Sequence, residues 1–339
     1  MDRITLRLAL ITMPAFFVSA CGGGGGGGDS VGAMNVAVTD APVDGVAEVW
    51  VEFYAVTLKP SGDDEKCVPD TDDPEIQPII EDELAAECAE GQGGQLTYTF
   101  DTPRSINLKA LTDGRIELLL DEDVPAGRYN WMKLHVNADF DGIYDSYVVV
   151  DGGGMVELRV PPDRLKLGNH FTVTAGGESG FVIDWNLRMG LTDPTGQPGY
   201  KLQPSLRITD MNEYGSIEGQ VSANLLPPTN GDCTSDEATS EGNVVYIYTG
   251  NDVLPDDVDN IEPDPLVTAD VKLNIDSGEY EYRATFLSPG PYTVAFTCQG
   301  RDDVMPDFEQ PNLPVDDALI FTDGVNVEVE DGVTKTVSF

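Results

Sequence analysis

Asp139, Asp141 and Asp145 put three carboxylates within seven residues, with Gly142 between them to allow a sharp bend. Ca²⁺ takes six to eight oxygens from carboxylates, backbone carbonyls and water. This loop offers a partial shell for it, which Asp121 or Asp123 would extend if the neighbouring turn lies at the same end. The spacing is not that of an EF-hand. The same residues also read as a hairpin turn at Asp141-Gly142 with solvated acids beside it. Calcium is the one cofactor the sequence brings into view. The chain holds two histidines, His135 in a strand-like run and His170 after Gly168-Asn169. Neither stands in a nucleophile elbow, so both read as structural. Sixty acidic residues supply carboxylate pairs everywhere, and no spacing selects two for glycoside hydrolysis. Trp50, Trp131 and Trp185 have the chemistry of a sugar platform, but their apolar surroundings favour the core.

The cysteines are more specific. The chain begins with MDRITLR and a dozen apolar residues, too short a run to span a bilayer, and reaches Cys21 directly after Val18-Ser19-Ala20. These four residues are similar to the lipobox of bacterial lipoproteins. That similarity implies a signal peptide over 1–20 and a diacylglyceryl group on the Cys21 thiol. With Gly22 rather than Asp next in line, it also implies the outer membrane. Two or more acyl chains anchor stably. Gly22 to Gly28 then form a flexible tether, 21–32, with a reach of roughly 15–20 Å. In an oxidising compartment the other four cysteines pair, and four cysteines allow three connectivities. Cys67–Cys88 and Cys233–Cys298 is the pairing that keeps each bridge within one half of the chain. A metal site is the weaker reading, because there is no CxxC and only two histidines could assist.

Charge excludes one class of partner. Lys plus Arg is 19 and Asp plus Glu is 60 in 339 residues, a net charge of −41. Nucleic acid is held by neutralising phosphate, and this chain lacks the cations to do it. Apolar residues at 40% suffice for cores. With 36 Gly, 23 Pro and few helix-period stretches, the class is turn-rich and all-β.

The elements follow from period-two alternation. Met34 to Thr39 and Glu48 to Leu58 read as strands split by Asp40-Ala41-Pro42. Residues 61–96 are acidic and Pro-rich, a surface insertion stapled by Cys67–Cys88. Strands resume over 104–109, 115–120, 128–137, 145–150, 154–160, 170–174, 179–188 and 200–209. A second unit starts at Gly215. Its strands are Ser216–Val221, Val244–Tyr248, Tyr280–Phe286 and Tyr292–Cys298, then a closing hairpin around Asp331-Gly332. Val124-Pro125-Ala126-Gly127-Arg128-Tyr129 and Leu287-Ser288-Pro289-Gly290-Pro291-Tyr292 share the order apolar, turn, Gly-x-Tyr, strand. That echo is either a duplicated unit or one turn reached twice.

Residues 33–212 resemble the lipoprotein-borne domain of unknown function numbered 4382. The resemblance rests on Val38-Thr39-Asp40-Ala41-Pro42, Ile106-Asn107-Leu108, Leu118-Leu119-Leu120, Pro125–Tyr129, Gly199-Tyr200-Lys201-Leu202 and Pro204–Arg207. It implies an exported domain and brings no catalytic residues. Residues 215–339 are similar to transthyretin-like or carboxypeptidase-regulatory-like sandwiches through Gly215–Val221 and Leu287–Val294. Two β-sandwich-like domains with Greek-key or prealbumin-like strands are therefore expected. The function expected is a non-catalytic, lipid-anchored envelope or surface β protein, a binding/adhesion or accessory module with a protein or glycan partner that the sequence does not name. A carboxylate-dependent, glycan-active hydrolase, or a subunit of an outer-membrane assembly, is the alternative. An enzyme calls for a deep cleft with two facing carboxylates. An assembly subunit calls for a large exposed apolar patch.

Overall fold

The computed structural model describes residues 30–61, 94–161, 165–168, 170–193, 199–203, 205–259, 261–303 and 318–339. Cys21, Cys67 and Cys88, with nearly all of the acidic insertion, lie outside these residues. Alternation creates the first sandwich. Met34, Val36 and Val38 are fully buried along β1 (Val31–Ala41), and Val49, Val51 and Phe53 along β2 (Val46–Pro60). The unit continues through β3 (Leu96–Asn107), β4 (Glu117–Pro125), β5 (Gly127–Asn137), β6 (Tyr147–Val150) and β7 (Met155–Arg159). It ends with β8 (Lys166–Leu167), β9 (Phe171–Val173), β10 (Glu178–Asn186), β11 (Leu191–Thr192), β12 (Tyr200–Leu202) and β13 (Leu206–Asp210). One sheet runs β13-β10-β1-β4. The other runs β11-β12-β7-β6-β2-β5-β8, with β3 on β2 and β9 on β5. One apolar core fills the space between them.

The second unit holds β14 (Gly215–Val221), β15 (Val244–Thr249), β16 (Val267–Asp270), β17 (Lys272–Leu273), β18 (Tyr280–Leu287), β19 (Gly290–Thr297), β20 (Val325–Val329) and β21 (Thr334–Thr336). Its sheets are β17-β18-β14-β21 and β16-β15-β19-β20, with a separate core around Ile217, Val245, Ile247, Val294 and Phe296. Among the described residues no strand pairing joins the two units.

The same wiring occurs twice. β1 pairs antiparallel with β4 and parallel with β10. β14 likewise pairs antiparallel with β18 and parallel with β21. Opposite them, the antiparallel row β3-β2-β5-β9 corresponds to β16-β15-β19-β20. The Gly-x-Tyr echo sits at the matching junctions, β4 to β5 and β18 to β19.

One turn differs from the sequence expectation. Asp331-Gly332 does not close a hairpin, because β20 pairs with β19 while β21 pairs with β14. The chain crosses from sheet to sheet there. Val329 and Val337 consequently enter the core from opposite sides. A tight Asp-Gly turn with Gly at φ +66° serves either purpose.

Candidate functional site

Cys233 and Cys298 are disulfide-bonded, with their Cα atoms 5.0 Å apart. The Asp139–Asp145 loop is held by a hydrogen bond within it and by others to Glu157 on β7. Asp141 Oδ1 accepts from Ile143 N at 2.9 Å, and Glu157 Oε1 accepts from Gly142 N at 2.6 Å. Among the described residues no group of three His, Cys, Asp or Glu is placed to hold a metal ion. His170 is exposed. His135 is half-buried, with Nε2 2.8 Å from Thr57 Oγ1. Burial first, and Lys133 second, hold its pKa below the ordinary value.

The tryptophans divide. Trp185 is 1% exposed and meets Phe53 edge-on at 5.8 Å, in the core as expected. Trp50 and Trp131 are half-buried instead. Val49 and Val51 take the inward phase, so Trp50 points to the outer face, where Nε1 donates to Glu48 at 2.6 Å. Trp131 lies on the same face under Lys166 Nζ, 4.3 Å from the ring centre.

The most elaborate polar chemistry was not foreseen from the sequence. It lies at the seam between the units. Arg188, in the short helix α1 (Leu187–Gly190), is 5% exposed and donates to Asp44 Oδ2 and to Gly300 O, each at 2.7 Å. Asp44 Oδ1 accepts from Gly242 N at 3.1 Å. Burial works against the Arg188 charge, but Asp44, Tyr246 and Asp303 outweigh it and hold its pKa above the ordinary value. A second tie runs through Arg207, which donates to Asp184 Oδ2 at 2.5 Å and to Phe286 O at 2.7 Å. Thr209 Oγ1 donates to the same carbonyl at 3.0 Å. Phe286 presents it from φ +56°, a strained conformation for a bulky residue. Ala37, Val182 and Phe286 form one apolar contact across the seam, and Tyr246, Tyr248 and Val258 form another with Met189.

Beside these ties a cleft of about 490 Å³ opens between the units. Asp184, Asn186, Met189, Leu206 and Arg207 form one wall; Tyr248, Thr249, Val253 and the Glu262–Leu266 loop form the other. Behind the first wall, Asp184 Oδ1, Asn186 Nδ2 and Arg207 Nε have no hydrogen-bond partner among the described residues. Burying such atoms unsatisfied costs about 1–3 kcal/mol each.

Burial raises the pKa of Tyr246 and of Tyr248 well above the ordinary value, so both phenols stay neutral and act as hydrogen-bond donors. Thr57 with His135 is the nearest approach to a nucleophile–base pair. Thr57 is 4% exposed in mid-sheet and is also bonded to Thr97 Oγ1 at 2.9 Å. Among the described residues no carboxylate is hydrogen-bonded to the imidazole, as a triad requires. The seam ties the two units through these hydrogen bonds and apolar contacts. Nothing in the spacing signals it, since Asp44 and Arg188 are 144 residues apart.

Among the described residues no helix is long and apolar enough to cross a membrane. No curated protein matches the chain. Three solved structures illustrate its likenesses. The minor pilin GBS52 of Streptococcus agalactiae is 11% identical, covering 90% of this chain and 94% of its own, with a TM-score of 0.19. BcpA, the major pilin subunit of Bacillus cereus, is 10% identical over 91% of this chain and 69% of its own, with a TM-score of 0.20. A putative adhesin from Bacteroides ovatus is 9% identical over 91% and 92%, at 0.18. At such scores these likenesses bear no functional weight. Residues 31–204, just over half of the chain, match the model of a domain of unknown function, DUF4382, and the chain belongs to that family.

Proposed function

We propose that this is a non-catalytic, lipid-anchored β protein of the cell envelope that works by binding in the cleft between its two units. The cleft carries the reading. It draws its walls from both units, it is of ligand size, and the surrounding ties fix its shape without supplying a nucleophile beside a base. The lipobox and glycine tether at Cys21 support an outer-membrane anchor. Chains of −41 charge repel one another, which disfavours self-assembly at low salt.

Two measurements test this. Hydrogen–deuterium exchange on the mature protein, with and without an extract of the envelope, is expected to slow at residues 205–207 and 248–249 when the extract is present. Unchanged exchange there would remove the binding function. Palmitate labelling and detergent partition are expected in the wild type and lost in Cys21→Ser. Labelling that survives the substitution would remove the anchor.

A further inference from the structure

We propose that the cleft takes an extended, positively charged peptide segment, its Lys or Arg head against Glu262 and its apolar neighbours on Leu206 and Leu266; this rests on the reading of the cleft as a binding site.

Charge chooses the ligand's sign. Asp184, Glu262 and Asp264 line the cleft against a single cation, Arg207. That cation is committed to Asp184 and to the Phe286 carbonyl. Glu262 is exposed at the rim, with no hydrogen bond or ion pair among the described residues. The wall is therefore net negative in a chain already at −41, a field that draws cations in and turns anions away. Apolar surface chooses the rest of the ligand. Leu206, Val253, Pro265 and Leu266 flank the acids, so a bare inorganic cation leaves most of the wall unused. The strand ends choose the shape. β13 and β16 are edge strands of their sheets, and the cleft is lined by Leu206 at the start of β13 and by Leu266 just before β16. Such edges accept extended chain through main-chain hydrogen bonds.

Isothermal titration of the mature protein with acetyl-Leu-Lys-Leu-amide tests this. Controls carry norleucine or glutamate at the centre. The lysine peptide is expected to bind at least about threefold tighter than the norleucine one, the size of a partly exposed ion pair, and the glutamate peptide weakest of all. Glu262→Gln is expected to erase the lysine preference while leaving norleucine binding unchanged. Thr249→Trp fills the cleft from an exposed position and is expected to abolish binding of every peptide. Melting temperatures of both variants separate lost binding from lost fold. Equal affinity for the three peptides, or a lysine preference that survives Glu262→Gln, overturns the proposal. If no peptide binds while an envelope extract still slows exchange at the cleft, the peptide inference falls alone. If the extract does nothing either, the binding function falls with it.

Discussion

Tyr129 and Tyr292 make the same hydrogen bond in the two halves of the chain. Each phenol donates to the carbonyl four residues upstream, Tyr129 to Pro125 O at 2.6 Å and Tyr292 to Ser288 O at 2.7 Å. Each follows a glycine in the left-handed half of backbone space, Gly127 at φ +149° and Gly290 at φ +153°. Both rings are buried, at 1% and 4% exposure. The bond pins the strand that changes sheets to the turn that redirects it, as in the tyrosine corner of other sandwiches. Its recurrence at matching junctions, on matching strand orders, favours a duplicated unit over a turn reached twice.

Tyr129→Phe and Tyr292→Phe are each expected to cost about 1 kcal/mol, the net worth of one hydrogen bond. The two lie in separate cores, so the double variant is expected to lose the sum within about 0.5 kcal/mol. Urea denaturation measures all three. Gly127→Ala and Gly290→Ala are expected to destabilise through backbone strain alone, since neither added methyl meets an atom within 4 Å. A neutral result at both glycines and both tyrosines would reduce the corner to ornament.

Arg188→Met addresses the seam. It strips Asp44 Oδ2, half-buried, and Gly300 O, buried, of their donor. Breaking a buried pair from one side costs about 3–5 kcal/mol. One cooperative melt is expected to become two, because the cores would then unfold separately. Arg188→Lys is expected to rescue little, since one ammonium cannot reproduce a planar fork to two acceptors. Calorimetry decides between these outcomes. A single unchanged transition in Arg188→Met would show that the apolar contacts alone hold the units together.

Much of the architecture was legible because burial leaves a period. Met34, Val36 and Val38, or Tyr280, Tyr282 and Ala284, announce a strand and its inner face without any knowledge of the partner strand. Val49-Trp50-Val51 held the phase that turns Trp50 outward, but an apolar neighbourhood alone does not say which residues share a side. Asp331-Gly332 was misread for a related reason. Turn chemistry reports a reversal of direction and not whether the next strand stays in the sheet. The seam was illegible in principle. Asp44, Arg188 and Gly300 come from three distant places, and each is an unremarkable residue in its own local sequence. What makes them a site is tertiary proximity, which no local pattern encodes. The cleft, built from two units at once, shares that fate.

The disulfide prediction concerns the second unit. Cys233 and Cys298 are separated by 65 residues. A loop of that length, closed in the unfolded chain, corresponds to about 4 kcal/mol in the chain-entropy model. Replacing both cysteines by Ala is expected to lower stability by that order. Non-reducing peptide mapping of exported protein is expected to find the Cys233–Cys298 peptide, and the same map reads out Cys67 and Cys88. A bridge from either half to the other would contradict the pairing.

Asp270 supplies a pH dependence of unusual sign. It ends β16 at the seam, with Lys272 Nζ 3.5 Å from Oδ2. Burial first pushes its carboxyl up from 3.8 to about 6; nearby Asp44 adds to this, while Lys272, Arg188 and Lys109 oppose it. Between these two values the folded chain holds a proton that the unfolded chain has released. The stabilisation from that proton is therefore present near pH 4 and lost as pH rises through about 6. His135 works the other way. Its lowered pKa makes the folded state lose stability as pH falls below 6.5. Whole-protein curves mix the two, so the informative quantity is the difference between wild type and Asp270→Asn. The amide keeps the shape and removes the buried charge. The variant is expected to be more stable than wild type by about 2 kcal/mol at pH 8, less than the full shift because the Lys272 contact is weakened. The advantage is expected to shrink through pH 6 and vanish near pH 4. Urea midpoints at several pH values measure it. An Asp270→Asn variant less stable than wild type at pH 8 would mean that the Lys272 pair outweighs the burial of the carboxylate.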